Sequence, residues 1–501
     1  MIRTKPISGE LLALKNQIEQ YAIDYGLDFF PQIFEVCDYD TINILAAQGG
    51  FPTRYPHWKF GMDYDQLSKG YAYGLQKIYE MVINTNPCYA YLLQANNWVD
   101  QKIVMAHVYG HNDFFKNNAW FGTTNRNMMD VMANHGTKIR RYMDRYGADA
   151  VETFIDKVLS LENLLDINEL YETSALKRSR KELVDQEKVE SEDDGYLIDD
   201  RSAALKSFMR TKARTSKKDE KKEELDENFS AERTQASTKD VLGYLIQHAP
   251  IEEWQADIIG ILREEAYYFL PQRMTKIMNE GWASYWHSTI MTQKALDASE
   301  IVDFADKHAG VMHMSKQNIN PYKVGIELMR DIEYRWNRGM FGKDYNECPS
   351  MKDKIEWDTK LGKGREKIFE VRKSHNDISF IDEFLTPDFC ERQQMFTYKY
   401  NPRSGRFEID SKDFNAIKQK LLSQLTNFGQ PIIEIEDGNY MNRKELLLNH
   451  IHYGVDLDVN FANETLRNLF AIWKRPVNLK TKYEEKEVVF HFDGKEFKPQ
   501  S

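Results

Sequence analysis

Two histidines, His107 and His111, stand four residues apart in VMAHVYGHNDFF. On a helix, four steps of about 100° leave them roughly 40° apart, so both imidazoles project from one face. That pairing lets a single helical turn offer two nitrogens to one divalent metal ion. A carboxylate from a second helix completes three protein ligands. The expected carboxylate is Glu280, far downstream in MNEGWASYW. A divalent metal held this way, zinc in the first instance, polarises a carbonyl or lowers the pKa of bound water. Such chemistry also needs a base. The position directly after the first histidine is Val108, which cannot take a proton. The spacing therefore predicts the metal more sharply than the reaction.

Other residues compete for the remaining roles. His287 follows Glu280 by two helical turns and falls within about 20° of it on one face. It is a candidate fourth ligand or proton donor, against a core histidine beside Trp286. Glu264 and Glu265 lie on a helix that can run alongside and are candidates for the missing base; the plainer alternative is a solvent-facing acidic pair. Tyr285 and Tyr267 are possible donors to an oxyanion, or packing residues. His135, in MMDVMANHGTK, is a weaker ligand candidate and is expected to end a helix before Gly136. Arg54, His57 and Lys59, in RYPHWKFG, suit a loop that lines a pocket and holds an anionic substrate group. There is no phosphate-cradling G-x-x-x-x-G-K-[ST], no G-x-G-x-x-G after a strand and no G-x-S-x-G elbow. No E-x-x-H pair supports a di-iron carboxylate centre.

The elements that must position these residues follow from periodicity. Residues 1–172 read as mostly helical and aromatic, with a short helix ended by Gly49 and Gly50 and an irregular stretch through FPTRYPHWKFGMDYDQLSKG. Two strands, Ile78–Asn84 and Cys88–Gln94, flank Asn86-Pro87 and lead into a helix from about Asp100 to Phe115 that carries both histidines. Residues 173–240 hold long charge runs and few large apolar side chains, so the expectation is a flexible insertion. Helical patterning resumes over 241–372, with two helices parted near Pro271, the second bearing Glu280. From 373 to 501 strands and helices mix, which predicts a smaller α+β domain.

Composition bounds the rest. A chain of 501 residues with 42% hydrophobic and 29% charged content can bury a large core. A net charge of −11 argues against a protein held to nucleic acid by a basic field. Cys37, Cys88, Cys348 and Cys390 are widely spaced and form no C-x-x-C pair, which fits a reducing, cytoplasmic setting. Neither a signal peptide nor a stretch of the roughly 20 apolar residues of a membrane span is evident.

Two resemblances sharpen the expectation. NEGWASYW resembles the third-ligand helix of the gluzincin aminopeptidases, N-E-G-[FW]-A-x-[YF]. That likeness implies His107, His111 and Glu280 as ligands, and Gly281, Ala283 and Ser284 as the small residues that let the Glu280 helix approach the histidine helix. It departs at Val108, where that family has its glutamate base. More broadly, FPTRYPHWKFGMDYDQL, YEMVINTNPCYAYLLQANNWVDQKIVMAHVYGHNDFFKNN and MNEGWASYWHSTIM look like the stage V sporulation protein R family. The resemblance covers about residues 5–340, and the C-terminal α/β region fits the family's layout. It implies an α+β protein with a large, mainly helical, gluzincin-like body, a short β element and a smaller C-terminal α/β domain. It also implies a link to sporulation or stress physiology, with a serine protein kinase and a von Willebrand A-like protein as partners. The family supplies no catalytic residues to carry over. Two readings stand: a metal-dependent amide hydrolase acting on peptide or peptidoglycan-related substrates, and a non-enzymatic regulator working with the kinase.

Overall fold

A computed structural model describes residues 3–72, 80–171, 238–313 and 319–500, so nearly all of the charged 173–240 segment lies outside the described residues. The N-terminal part runs β1 (Thr4–Pro6), α1 (Gly9–Asp24), β2 (Gln32–Cys37), α2 (Tyr39–Ala47), α3 (Trp58–Ala72), β3 (Glu80–Ile83), β4 (Cys88–Leu93), α4 (Trp98–Asn117), α5 (Met128–Tyr146) and α6 (Ala148–Leu159). After the undescribed segment come α7 (Val241–His248), α8 (Glu253–Met274), α9 (Lys276–Ile290), α10 (Ile301–Val311), α11 (Pro321–Arg338), α12 (Gly364–Ser374) and α13 (Asp377–Phe384). The tail holds β5 (Thr397–Asn401), β6 (Arg406–Ser411), α14 (Phe414–Leu425), β7 (Ile432–Tyr440), β8 (Glu445–Ile451), α15 (Val459–Trp473), β9 (Val477–Tyr483), β10 (Lys486–Phe492) and β11 (Phe497–Gln500). The protein is α+β, mainly helical with a C-terminal sheet. No helix among the described residues is long and apolar enough to cross a membrane.

The chain divides into two compact units, Met1–Asp156 with Ile261–Gln430, and Lys157–Gly260 with Pro431–Ser501. The boundary in the tail thus falls at 431 and not at 373. Its physical reason is burial: Phe380, Ile381, Phe384, Phe389, Ile417 and Leu421 join the apolar core that contains Met105, Val108, Trp282 and Trp286. Among the described residues the hairpin β5–β6 pairs only with itself, so the described tail strands do not form one continuous sheet.

In the first unit a four-stranded sheet has the order β1-β2-β4-β3. Strands β2 and β4 are parallel, and both edge pairings are antiparallel. The β3–β4 hairpin leads directly into α4. Gly49 and Gly50 close α2 with positive φ, as their positions suggest. The stretch after Pro56 is not irregular throughout, since α3 begins at Trp58. A tertiary contact fixes that start: the Trp58 backbone N–H donates to Glu152 and its indole to Asp156. The break expected at Pro271 comes at Thr275, whose hydroxyl donates back to the Pro271 carbonyl at 2.7 Å.

The second unit carries a five-stranded sheet ordered β11-β10-β9-β8-β7. Only β8 and β9 run parallel, joined through α15, whose buried Leu466, Leu469 and Trp473 give it one apolar face.

Candidate metal centre

Helix α4 is buried along nearly its whole length, yet it is not an apolar helix. Asn97 caps its start by accepting from the Asp100 N–H. Several of its buried polar side chains have partners that fix the helix in rotation and register. Gln101 donates to the Leu93 carbonyl, and Asn112 both donates to and accepts from the Phe30 backbone. Asp113 accepts from the Asp28 N–H at 2.8 Å and from the Trp282 indole at 2.7 Å, with Arg372 3.4 Å away. Burial pushes the Asp113 carboxyl up to about 6, and the Arg372 charge offsets part of that rise.

Helix α9 is positioned from two sides. Its first turn lacks a cap from its own Thr275. Instead the buried Asp377, at the start of α13, accepts from the backbone N–H of Ile277 and Met278 at 2.8 and 2.9 Å. Further along, the Asp113–Trp282 bond ties α9 to α4. Between these points the backbones nearly touch: a methyl group added at Gly110 would lie 2.6 Å from the Cα of Ala283. Gly281, expected to face the histidine helix, faces α11 instead, where an added Cβ would meet Gly325 at 2.4 Å. Glycine is required at both contacts because only it lets the chains approach so closely.

This packing brings His107, His111 and Glu280 together. The Nε2 atoms of both histidines lie 3.5 Å from the same oxygen, Oε2 of Glu280. One donor atom from each residue falls within 4.8 Å of the others. The Nδ1 atoms point away: that of His111 is 2.8 Å from Asn279 Oδ1, and that of His107 is 2.9 Å from His287 Nδ1. The rings are walled by aromatic neighbours, Phe115 stacked on His111 and Tyr322 on His107. Burial, and then any charge on the neighbouring His111, lower the pKa of His107 and outweigh the pull of Glu280. Burial alone would raise the Glu280 carboxyl, but the two imidazoles bring it well below the usual carboxylate range. Oε2 is nonetheless a buried oxygen that receives no hydrogen bond.

Orphaned buried oxygens call for an explanation. Metal–ligand bonds of 2.0–2.2 Å in tetrahedral geometry place neighbouring ligand atoms about 3.4 Å apart. The 3.5 Å separations match that spacing and exceed a normal N–H···O bond. The donor types, and the two separations to Glu280 Oε2, are those a divalent cation would need.

The other sequence candidates do not join them. His287 sits behind His107, bonded to its Nδ1 and, through Nε2, 3.3 Å from His308 Nδ1, so it is not placed as a fourth ligand. Glu264 and Glu265 grip His135, at 3.3 and 3.1 Å, and Glu265 also pairs with Arg54. Held there, neither is placed as a base for this centre. Tyr285 donates to Glu333 at 2.6 Å and is likewise committed. Helix α5 runs through His135 and does not end before Gly136, whose lack of a side chain admits the Arg54 backbone. Arg54 also donates to the Gln48 carbonyl. His57 is buried 3.2 Å from Asp156 and accepts from the Lys59 N–H. Arg54 and His57 thus brace their loop through these bonds; Lys59 is half-buried beside them. Sequence reasoning missed Asn279, His308, Gly110 and Asp377. Asn279 and Gly110 had a local signal, each lying within or beside a ligand motif, whereas His308 and Asp377 had none.

Comparison with known proteins agrees with this architecture. The SpoVR like protein family matches residues 8–430, and the SpoVR-like C-terminal domain matches residues 431–484. The chain belongs to the SpoVR family. A relative in Escherichia coli (strain K12), described as the uncharacterized protein YcgB, is 30% identical over 493 residues, covering 94% of this chain and 91% of its own. No solved structure matches the chain.

Proposed function

We propose that this SpoVR-family chain binds one divalent metal, zinc in the first instance, through His107, His111 and Glu280, and uses it for amide hydrolysis on peptide or peptidoglycan-related substrates. The observation that carries the reading is the unbonded Glu280 Oε2, 3.5 Å from two imidazole nitrogens. Three protein ligands leave a coordination position open, as catalytic sites do and closed structural sites do not. The bound ion would supply Lewis acidity toward a carbonyl. The chain itself supplies two imidazole nitrogens, one carboxylate that offsets half of a dication's charge, and the Phe115 and Tyr322 rings that wall the histidines. The order of a histidine-pair helix and a later N-E-G helix, similar to the gluzincins, supports the same reading.

A second reading is favoured by a specific observation. Val108 is fully buried among apolar neighbours, and Glu264, Glu265 and Tyr285 are bound elsewhere, so none of these supplies a base. On that reading the protein is a non-enzymatic regulator acting with a serine protein kinase and a von Willebrand A-like protein, and its metal is structural.

Metal analysis of protein purified without added metal tests the centre. Stoichiometric metal, lost in His107→Ala and Glu280→Ala, is the expected result; full retention in both variants would sink the assignment. Hydrolysis of peptides and cell-wall fragments, with His111→Ala as control, separates the two functions. Metal retention with no turnover favours the regulator.

A further inference from the structure

Behind the proposed ligand His107 runs a line of imidazoles. His107 Nδ1 and His287 Nδ1 are 2.9 Å apart, and His287 Nε2 and His308 Nδ1 are 3.3 Å apart. The line passes from the buried α4–α9 contact to the half-buried His308 on α10, where His308 stacks on Phe304. Nothing about ligand geometry requires a third and a fourth histidine in this place.

A contact between two ring nitrogens holds one proton, so its direction can be worked out. If the proton sits on His287, neutral His107 carries its own on Nε2, aimed at Glu280. That N–H would then form a charge-assisted bond of about 2.8 Å to the carboxylate. The observed 3.5 Å, and an Oε2 without a hydrogen bond, speak against this arrangement. With the proton on His107 Nδ1, its Nε2 lone pair faces Glu280 and can ligate. His287 then accepts at Nδ1, carries its proton on Nε2 and donates to His308. Each step fixes the next tautomer, so one orientation satisfies the whole line. His111 reaches the same state more simply, because the Asn279 carboxamide oxygen accepts from its Nδ1.

We propose that His287 and His308 are positioning residues for the metal centre: they form an acceptor line that holds His107 in the Nδ1–H tautomer, aims its Nε2 lone pair and raises its basicity as a ligand. This role rests on the metal reading proposed above. Groups that bond the far nitrogen of a ligating histidine act in this way in metalloproteins generally, and their loss typically costs about 10–100-fold in affinity.

The test measures zinc affinity by competition with a chromophoric chelator in the full chain. His287→Phe fills the ring's space but accepts no bond, and its dissociation constant should rise about 10–100-fold. His287→Asn keeps an acceptor near the Nδ1 position and should stay within about threefold of wild type, the rescue that a packing role would not give. Unchanged affinity in His287→Phe, with wild type binding zinc, would overturn this role and leave the metal reading intact. Wild type that takes up no zinc would overturn the metal reading and this role with it. Should His287→Phe fail to fold, imidazole ¹⁵N spectra of wild type decide the matter. Nδ1–H on His107 and Nε2–H on His287, with and without zinc, are expected; a proton on His107 Nε2 refutes the proposal.

Discussion

The close approach of α4 and α9 yields the sharpest quantitative expectation, the effect of Gly110→Ala. The new methyl would lie 2.6 Å from the Ala283 Cα and 3.2 Å from its Cβ. Carbon atoms rest at about 3.5–4.0 Å, so the helices must part by roughly 1 Å. Neither contact atom belongs to a flexible side chain that could swing aside. Overpacking of this kind costs about 1–3 kcal/mol, and a clash against backbone belongs at the upper end, about 3 kcal/mol. His107 and His111 flank Gly110, while Glu280 lies one turn before Ala283. The same 1 Å would therefore stretch the 3.5 Å ligand separations toward about 4.5 Å, beyond what bonds near 2 Å span, and should weaken zinc by at least about tenfold. The control is Gly260→Ala in α8, where an added Cβ meets nothing within 4 Å. There the lower helix propensity of glycine is removed without a clash, so stability should rise by about 0.5–1 kcal/mol. Urea denaturation followed by the fluorescence of the buried Trp282 and Trp286 reads both variants. A Gly110→Ala midpoint at or above wild type would refute the argument.

Two further expectations concern buried titrating groups. Burial would lower the pKa of His135, but Glu264 and Glu265 outweigh it and raise the ring to about 9. A raised folded-state value stabilises fully below the unfolded value of about 6.5 and is lost as pH climbs through about 9. Screening at the half-exposed Glu264 reduces the effect to about 2 kcal/mol, which His135→Gln should remove from a stability profile between pH 6 and 10. An unchanged profile would count against the pairing. Asp377 is raised to about 7 by burial, despite the N–H groups of Ile277 and Met278 that favour its charge. Its contribution is full below its unfolded value and declines as pH rises through about 7. Asp377→Asn keeps an acceptor and should flatten this decline. Asp377→Ala leaves the α9 N–H groups unbonded and should cost about 2 kcal/mol in a thermal or urea melt at pH 5; a loss below about 0.5 kcal/mol would mean the cap is dispensable.

What could be read from the sequence divides by range. The convergence of His107 and His111 is a consequence of helical pitch, and the α4 and α9 helices follow from their local patterns, so both were legible. The meeting with Glu280 needed a likeness as well, because nothing local joins residues so far apart. Which small residue faces which helix was not legible. Gly281 and Ala283 differ by about 200° around α9, and only the placement of α11 decides that Gly281 meets Gly325. The acidic pair misled for a related reason. Glu264 and Glu265 look available in sequence, yet His135 and Arg54 reach them from elements more than a hundred residues away. The tail divides for the same reason: β5, β6 and α14 share the local α+β look of the residues after them, while the burial of Ile417 and Leu421 assigns α14 to the larger core.

Charge balance carries the remaining weight at the centre. A buried carboxylate without a compensating charge costs several kcal/mol, and a fold normally avoids it by protonating the group or pairing it. Here the groups nearest the Glu280 carboxyl are the two imidazoles, 3.5 Å from its Oε2. Burial also works against a cation at His107 or His287. What the geometry leaves is a buried carboxylate oxygen with two imidazole Nε2 atoms at 3.5 Å, while the Nδ1 atoms of His107 and His111 lie against His287 and Asn279. A proton shared among these groups would draw them together to hydrogen-bond length. On the proposed metal reading, a dication at their centre would satisfy the oxygen and both nitrogens at once and hold them about 3.4 Å apart, close to the observed 3.5 Å to Glu280. Val108 contributes nothing to that balance, so on the proposed reading the lack of a titratable group there bears on turnover and not on the ligand set.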